Sequence, residues 1–212
     1  MICTTVIKFR LPGLELSLEI VSNTEELITD PTDDDQIPYW AELWPAARGL
    51  AQYIWESVDF QGETVLELGA GLGLPGLVAA LKGGKVTLTD YKESALEIAA
   101  RNAARNNIEN VSCLLADWRD FRVEQKFDWI IGSDVLYNPS LNPYVASILE
   151  KNLRPGGQLI FSHPGRKVTH EFLRELVQRK GMIEKNEYIP VTVDHPVLPC
   201  YEIEIHHLIS PR

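Results

Sequence analysis

The hydrophobic pattern of this chain switches repeatedly between two types of segment. Short apolar or alternating runs, typical of β-strands, cover residues 65–68, 85–90, 110–116, 127–132, 158–162, 182–188 and 201–209. Stretches with apolar residues three or four positions apart, typical of helices, cover residues 46–57, 75–81, 93–106, 141–153 and 167–180. This alternation predicts an α/β fold: a doubly wound, mostly parallel seven-stranded sheet with helices on both faces.

The N-terminal part of the chain departs from this alternation. Residues 4–21 contain two β-rich runs joined at Pro12-Gly13, which predicts a β-hairpin. We expect residues 1–212 to form a single domain, in which residues 1–60 are an extension made of the hairpin and a helix. The acidic segment 29–36 is interpreted either as a solvated loop or as a patch that attracts a basic partner, and residues 154–157 as a turn.

Residues 64–77, TVLELGAGLGLPGL, predict a strand, a glycine loop and the start of a helix. Gly69, Gly71 and Gly73 let the backbone turn sharply and approach a ligand closely, because they lack a Cβ atom. The free amides at the start of the next helix would face that ligand. Gly71, Gly73 and Gly76, with Asp90 further on, also match the G-x-G-x-x-G fingerprint of dinucleotide-binding folds, so a nicotinamide cofactor is one alternative.

Each of the first four predicted strands of the sheet ends on or near a carboxylate: Glu67, Asp90, Asp117 and Asp134. The carboxyl ends of parallel strands meet at one edge of a sheet, where ligands of such folds bind. A carboxylate after the second strand can accept both hydroxyls of a ribose, and one after the third can accept an adenine amino group, with Trp118 against the ring. These acidic surroundings favour the cationic S-adenosylmethionine and repel the pyrophosphate of a dinucleotide.

Composition narrows the function further. The chain has 30 Asp and Glu against 20 Lys and Arg, which disfavours a nucleic-acid substrate and suits a small molecule or a protein that presents a lysine. It has no apolar stretch long enough to cross a membrane and no signal-peptide pattern at its N-terminus, so we expect a cytoplasmic protein. Cys3, Cys113 and Cys200 lie far apart and outside any C-x-x-C arrangement, so neither disulfides nor a metal site are predicted.

Three further motifs accompany the E-x-G-x-G-x-G sequence that begins at Glu67. Trp44-Pro45 precedes it, Leu115-Ala116-Asp117-Trp118 spans the end of the third strand, and Asp134-Val135-Leu136-Tyr137 follows the fourth. Together they resemble the seven-strand S-adenosylmethionine-dependent methyltransferases, and among these the protein-lysine methyltransferases of methyltransferase family 16, which carry a D-x-x-Y motif. The resemblance extends from about residue 39 to residue 165. Residues 38–45 and 163–166 are most similar to the branch that modifies the electron-transfer flavoprotein β subunit.

The resemblance implies a Rossmann-like methyltransferase fold, S-adenosyl-L-methionine as cofactor, and methyl transfer to a lysine side chain of a protein. The cofactor site would then consist of Trp44, Glu67, Gly69, Gly71, Gly73, Asp90, Tyr91, Asp117, Trp118 and Ser133. As catalytic residues we predict Asp134, which would orient the incoming amine, and Tyr137, which would line its channel. A methyltransferase for a small molecule and a methyltransferase-like interaction module without activity remain alternatives.

Several of these residues also have structural interpretations. Trp44 and Tyr137 are compatible with ordinary packing, and Asp134 with a turn at a strand end. His163 is interpreted either as a proton acceptor or as a structural histidine, and Arg166 either as a substrate contact or as a helix cap. We assign no chemistry to His195, His206 and His207, which lie in the C-terminal strand region.

Overall fold

A computed structural model describes residues 2–33, 36–194, 197 and 199–211 of the chain. Asp34 and Asp35 of the acidic segment, and His195, lie outside the described residues. The described part contains an N-terminal hairpin, a seven-stranded sheet and five α-helices. The predicted fold class is therefore confirmed, including the hairpin.

The elements follow the chain in the predicted order, most with ends within two residues of the prediction. The strands are β1 Thr4–Leu11, β2 Leu14–Val21, β3 Thr64–Leu68, β4 Lys85–Asp90, β5 Val111–Leu115, β6 Phe127–Ser133, β7 Leu153–His163, β8 Ile183–Thr192 and β9 Cys200–Ile209. The α-helices are α1 Pro45–Ser57, α2 Leu74–Leu81, α3 Glu93–Arg105, α4 Asn142–Asn152 and α5 Lys167–Lys180. Among the described residues, no helix is both long enough and apolar enough to span a membrane.

The order of strands in the large sheet is β5-β4-β3-β6-β7-β9-β8. Neighbours from β5 to β7 pair in parallel, while β9 runs antiparallel to both β7 and β8. Strands β4 and β5 thus follow β3 toward one edge of the sheet. The chain then crosses back, and β6 and β7 follow on the other side of β3. This switch in strand order lies between β3 and β6, and folds of this type bind ligands at the carboxyl ends of the strands there.

Strand alternation divides the core between the two faces of the sheet. Val65 of β3 points to the face covered by α1, α2 and α3, where it joins Leu50 and Leu77 in one apolar cluster. Leu66, the next residue, belongs to the cluster on the opposite face, which α4 and α5 cover with residues such as Ile148. Both faces of the central strand β3 are therefore buried, as its apolar run predicts. The parallel edge strand β5 is mostly exposed, including Leu114 and Leu115.

The N-terminal hairpin is fixed to α3 by a buried polar contact. The backbone N–H of Glu19 in β2 donates to Oδ1 of Asn102 at 2.6 Å, and the Asn102 amide donates back to the Glu19 carbonyl at 3.1 Å. The Glu19 carboxylate also pairs with Arg101 and Arg105 of α3. These side-chain hydrogen bonds lower the pKa of Glu19, with Arg101 as the main cause. The hairpin thus packs as a layer on α3.

Two boundaries differ clearly from the prediction. The predicted turn at residues 154–157 lies within β7, where the pairing register moves from Phe127–Leu153 directly to Trp129–Gln158. The intervening residues form an irregularity in the strand, with Gly156 at a φ of 74°. Strand β8 continues to Thr192, because its pairing with β9 extends through Pro190 at the outer edge of the sheet.

Candidate active site

A cavity opens at the carboxyl ends of β3, β4 and β6, beside the switch in strand order. All residues predicted for the site except Glu67 line this cavity: Trp44, Gly69, Gly71, Gly73, Asp90, Tyr91, Asp117, Trp118, Ser133, Asp134 and Tyr137. These residues come from segments up to 93 positions apart (137 − 44), yet the fold brings them around one space. Their individual roles stay predictions.

The glycine loop forms the floor of the cavity in a conformation that suits glycine. Gly69, Gly71 and Gly73 have φ angles of 60°, 52° and 85°, which lie in the left-handed region. A Cβ atom on Gly71 would lie 3.0 Å from the carbonyl oxygen of Trp40, and one on Gly69 would lie 3.2 Å from the Trp118 ring. Side chains at Gly69 and Gly71 would therefore crowd residues that line the cavity.

Glu67 differs from the predicted cofactor site, because its side chain does not line the cavity. It is fully buried, and its Oε2 accepts a hydrogen bond from the Gly76 amide at 2.9 Å. The reason is strand alternation: Glu67 shares the face of Val65, so its side chain points beneath α2 and not into the cavity. Burial raises the pKa of Glu67 to about 8, despite the hydrogen bond from Gly76. Among the described residues its buried Oε1 has no hydrogen-bond partner, which fits a protonated carboxyl group.

Asp90 ends β4 and joins the glycine loop to the next helix. Its Oδ2 accepts from the Gly71 amide at 3.0 Å, and its Oδ1 accepts from the Lys92 amide at 3.0 Å. Burial raises the pKa of Asp90, while these backbone hydrogen bonds act in the opposite direction. A carboxylate has about four lone-pair sites, so beside the backbone hydrogen bonds from Gly71, Lys92 and Tyr91 the group can still accept one from a ligand hydroxyl in the cavity.

Asp117 and Trp118 follow β5 on the same side of the cavity. Asp117 caps the short 3-10 helix Trp118–Asp120, where it accepts from the backbone of Arg119 at 2.8 Å. The guanidinium of Arg119 also binds this carboxylate and is the main cause of the lowered pKa of Asp117. The Trp118 ring lies against Gly69, at the side of the cavity where a flat ring system would stack.

Aromatic rings form the opposite wall. Trp44 donates its Nε1 hydrogen to the carbonyl oxygen of Tyr39 at 2.7 Å, which closes the segment before α1 over the glycine loop. The Tyr39 ring lies 6.2 Å from the Trp44 ring and 5.7 Å, edge to face, from the Tyr137 ring, centre to centre. Tyr39 was missed in the sequence, although its place in the aromatic segment before α1 was a usable signal. Tyr137 thus lies in an aromatic wall and lines the cavity at the same time.

Asp134 and Arg166 form a bidentate ion pair inside the cavity. Arg166 Nε lies 2.5 Å from Asp134 Oδ1, and its NH2 group lies 2.7 Å from Oδ2. The Asp134 side chain is about a tenth exposed and that of Arg166 about two fifths. The pKa of Arg166 is raised, mainly by its hydrogen bond to Asp134. Asp134 has a φ of 52°, a strained value that an aspartate tolerates better than most residues. The sequence did not predict this pair.

His163 lies behind Arg166 and does not line the cavity. It is fully buried, and its Nδ1 accepts from the Arg166 backbone N–H at 2.8 Å. Burial is the main cause of its low pKa of about 3, with nearby His206 and His170 adding to it. Of the two interpretations of His163, the geometry favours the structural one.

Comparison with known proteins places this arrangement in a family. The model of the lysine methyltransferase family matches residues 27–179, which include the aromatic segment, the glycine loop and the Asp134 motif. The chain belongs to the lysine methyltransferase family. This enzyme is therefore a methyltransferase that uses S-adenosylmethionine, and membership removes the interaction module and the nicotinamide oxidoreductase as alternatives.

Curated relatives of the methyltransferase act on different proteins. It is 31% identical over 163 residues to EEF1A lysine methyltransferase 3 of Xenopus tropicalis, covering 70% of this chain and 73% of the relative. It is 35% identical to the histone-arginine methyltransferase METTL23 of Mus musculus, of which it covers 50%, and 36% identical to the protein N-lysine methyltransferase METTL21A of Xenopus tropicalis, of which it covers 51%. The predicted placement near the flavoprotein-modifying branch stays a prediction.

Solved structures show the same fold at lower sequence identity. The methyltransferase superposes on the N-methyltransferase NodS from Bradyrhizobium japonicum, in complex with S-adenosyl-l-homocysteine, with a TM-score of 0.62 at 18% identity, covering 89% of this chain and 98% of that one. For PH1948 from Pyrococcus horikoshii the TM-score is 0.64 at 15% identity, covering 92% and 93%. The Rossmann-like methyltransferase fold is thus confirmed.

The residues present fit S-adenosylmethionine. The glycine loop lies against the cavity, where Cβ atoms on Gly69 and Gly71 would approach the lining residues Trp118 and Trp40. The Asp90 carboxylate can accept a hydrogen bond from a hydroxyl, and Trp118 offers a flat apolar surface. A nucleoside ligand would thus pack against the backbone of the glycine loop, direct its ribose hydroxyls at Asp90 and place its ring system against Trp118. The methyltransferase would hold its cofactor at these positions.

Proposed function

We propose that this chain methylates a lysine side chain of a protein, in the part of the cavity bounded by Asp134, Arg166, Tyr137 and Tyr39. The observation that carries the proposal is that one continuous cavity joins the glycine loop and Asp90 to these four side chains. The first group of residues suits the cofactor, and the second lies where an acceptor would enter. The family and two of the relatives are named for lysine methylation.

The reaction requires a neutral amine, whereas free lysine has a pKa of about 10.4. Bound S-adenosylmethionine supplies a methyl group made electrophilic by its sulfonium charge. An isolated carboxylate at about 4 Å, in an effective dielectric of about 20, would favour the protonated amine by about 4 kcal/mol, or about three pKa units. In this structure Arg166 lies on the Asp134 carboxylate and offsets most of that charge.

Asp134 in this proposal is a hydrogen-bond acceptor and not a strong attractor of cations. Its carboxylate, held by Arg166, can orient the N–H bonds of the amine without stabilising the lysine cation strongly. Tyr137 and Tyr39 provide the apolar walls along which the lysine methylenes would lie. The proton leaves to solvent before transfer, and the rate comes mainly from alignment of the amine with the methyl group.

The test is transfer of label from S-[methyl-³H]adenosylmethionine to proteins of a cell extract, comparing the wild type with Asp134→Ala. We expect Asp134→Ala to lower transfer at least tenfold while binding of the cofactor, measured by calorimetry, changes little. Asp120→Ala is the matched control, because Asp120 forms a similar ion pair with Arg122 on the open surface. Hydrolysis of the labelled product must yield methyl-lysine; methyl-arginine or an unchanged rate in Asp134→Ala would contradict the proposal.

We further propose a protein substrate over a nucleic acid, because the formal net charge of −10 opposes binding to a phosphate backbone. A cytoplasmic location is proposed on different grounds. Cys3, Cys113 and Cys200 are all free and exposed, which is usual in a reducing compartment. Retention of the free thiols in protein isolated from its native cells under alkylating conditions would support this location, and disulfide formation there would contradict it.

A further inference from the structure

Behind Arg166, on the side away from the cavity, three histidines and a glutamate come together. His163 is the last residue of β7, His170 lies in α5, and Glu204 and His206 lie in β9. One ligand atom from each of the four residues lies within 4.8 Å of the others. His163 and His206 are buried, while the His170 side chain is about a third exposed and provides a route from solvent.

We propose that these four residues form a binding site for a transition-metal ion of the Zn²⁺ type. The centres of the three imidazole rings form a nearly equilateral triangle, with sides of 5.0 Å between His163 and His206, 4.8 Å between His163 and His170, and 5.5 Å between His170 and His206. Three imidazoles on one tetrahedral ion, with metal–nitrogen distances of about 2.0–2.1 Å, have centres about 5 Å apart. The rings of His163 and His206 are within 10° of parallel and their Nε2 atoms lie 2.9 Å apart, so these two side chains would have to rotate to direct both nitrogens at one ion.

The surroundings supply the remaining requirements of such a site. Glu204 Oε2 lies 3.1 Å from His170 Nε2 and 3.9 Å from His206 Nε2, in position to be the fourth ligand. On the outer side, His206 Nδ1 is 2.7 Å from Glu184 Oε1, an arrangement that orients a metal-binding histidine and increases its basicity. The carboxylates of Glu204 and Glu184 together balance the charge of a divalent ion. Imidazole and carboxylate ligands in a tetrahedral arrangement suit Zn²⁺.

The hydrogen bonds also define the metal-free state. A backbone N–H can only donate, so Nδ1 of His163 carries no proton and the neutral ring is protonated at Nε2. That Nε2–H donates to His206 Nε2 at 2.9 Å, and His206 Nδ1–H donates to Glu184. The cluster is thus a satisfied hydrogen-bonded chain without metal, and a metal ion would displace the protons at its centre.

This proton arrangement links the metal site to Arg166. A neutral His163 that gives its Nε2 lone pair to a metal must carry its proton on Nδ1, and it then cannot accept from the Arg166 N–H. Metal binding and the Arg166 N–H to His163 hydrogen bond therefore exclude each other. Since the Arg166 side chain holds Asp134, bound metal would loosen the ion pair in the cavity; its effect on catalysis rests on the proposed function, whereas metal binding itself does not.

The test uses the untagged protein, titrated with ZnCl₂ by calorimetry and with CoCl₂ by visible absorption. We expect one ion per chain with micromolar or tighter affinity, and the intense absorption bands of tetrahedral Co²⁺. His170→Ala and Glu204→Gln, which change partly exposed residues, should each weaken binding at least tenfold. His207→Gln is the matched control, because His207 follows on the same strand but its nitrogens contact Tyr53 and Gln158. Absence of binding, or equal affinity in all variants, would overturn the site.

Nuclear magnetic resonance tests the link separately. With Zn²⁺ bound, the amide proton of Arg166 should shift and exchange with solvent faster, because it has lost its acceptor. If the Arg166 amide proton is unchanged at saturating Zn²⁺, His163 is not a metal ligand, and metal binding does not break the hydrogen bond from Arg166.

Discussion

The buried carboxyl group of Glu67, which accepts from the Gly76 amide after the glycine loop, allows a quantitative prediction of how stability depends on pH. This group has a pKa of about 8 in the folded protein, against an ordinary value of 4.5, because burial beneath α2 disfavours the charged form. Between these two pH values the native state binds a proton that the unfolded state has released. Stability contributed by Glu67 is therefore fully present below about pH 4.5 and is lost as the pH rises through about 8.

The expected magnitude follows from the two pKa values. One pKa unit corresponds to about 1.4 kcal/mol. As the pH rises from about 5 to about 8, the free energy of unfolding should therefore fall by about 3 kcal/mol because of Glu67 alone. Glu67→Gln removes the titration while its carbonyl oxygen can still accept from the Gly76 amide at the start of α2. The variant should therefore lack this part of the pH dependence.

The assay is urea denaturation of wild type and Glu67→Gln at a series of pH values from 5 to 8. The wild type should lose about 3 kcal/mol more than the variant over that range. Glu97→Gln, which changes an exposed carboxyl group of α3, should follow the wild type. Parallel profiles for wild type and Glu67→Gln would refute the reasoning that Glu67 is protonated in the native protein.

Three further variants test other contacts. Gly71→Ala should weaken binding of S-adenosylmethionine at least tenfold in calorimetry, because its Cβ would lie against a backbone carbonyl. Gly62→Ala, also at positive φ but with no atom of the described residues within 4 Å of the added Cβ, controls for backbone strain. Trp118→Ala should cost about 1–3 kcal/mol of cofactor binding through lost stacking, and unchanged affinity would remove the ring from the site. Asn102→Ala should lower the free energy of unfolding in urea by about 2 kcal/mol, since it leaves buried backbone groups of Glu19 and the glycine loop unpaired; no change would contradict that account.

Local pattern was enough to predict the architecture. Apolar runs and helical periods placed the strands and helices in order, and the glycine loop with the carboxylates at the strand ends predicted which edge carries the cavity. Glu67 shows where this reasoning stopped: its position near a strand end was visible, but its direction depends on which residues of β3 face α2. The extent of the single domain, residues 1–212, stays a prediction.

Long-range pairing was not visible in the sequence. Asp134 and Arg166 are 32 positions apart and meet because β6 and β7 are neighbours, with Ser133 opposite Ser162. The histidine cluster likewise requires β9 to lie beside β7, which places Glu204 opposite His163. Neither arrangement has a spacing that a local motif could reveal, because the number of residues between the partners depends on the lengths of the helices and strands between them.

The most direct test of the central claim is a calorimetric titration of the purified protein with S-adenosylmethionine, repeated with Asp90→Asn. Asparagine keeps one carbonyl acceptor for the loop amides but loses one of the two carboxylate oxygens that would receive the ribose hydroxyls. We predict one site of micromolar affinity in the wild type and at least tenfold weaker binding in the variant. Absence of binding by wild-type protein that is folded by circular dichroism would contradict the account.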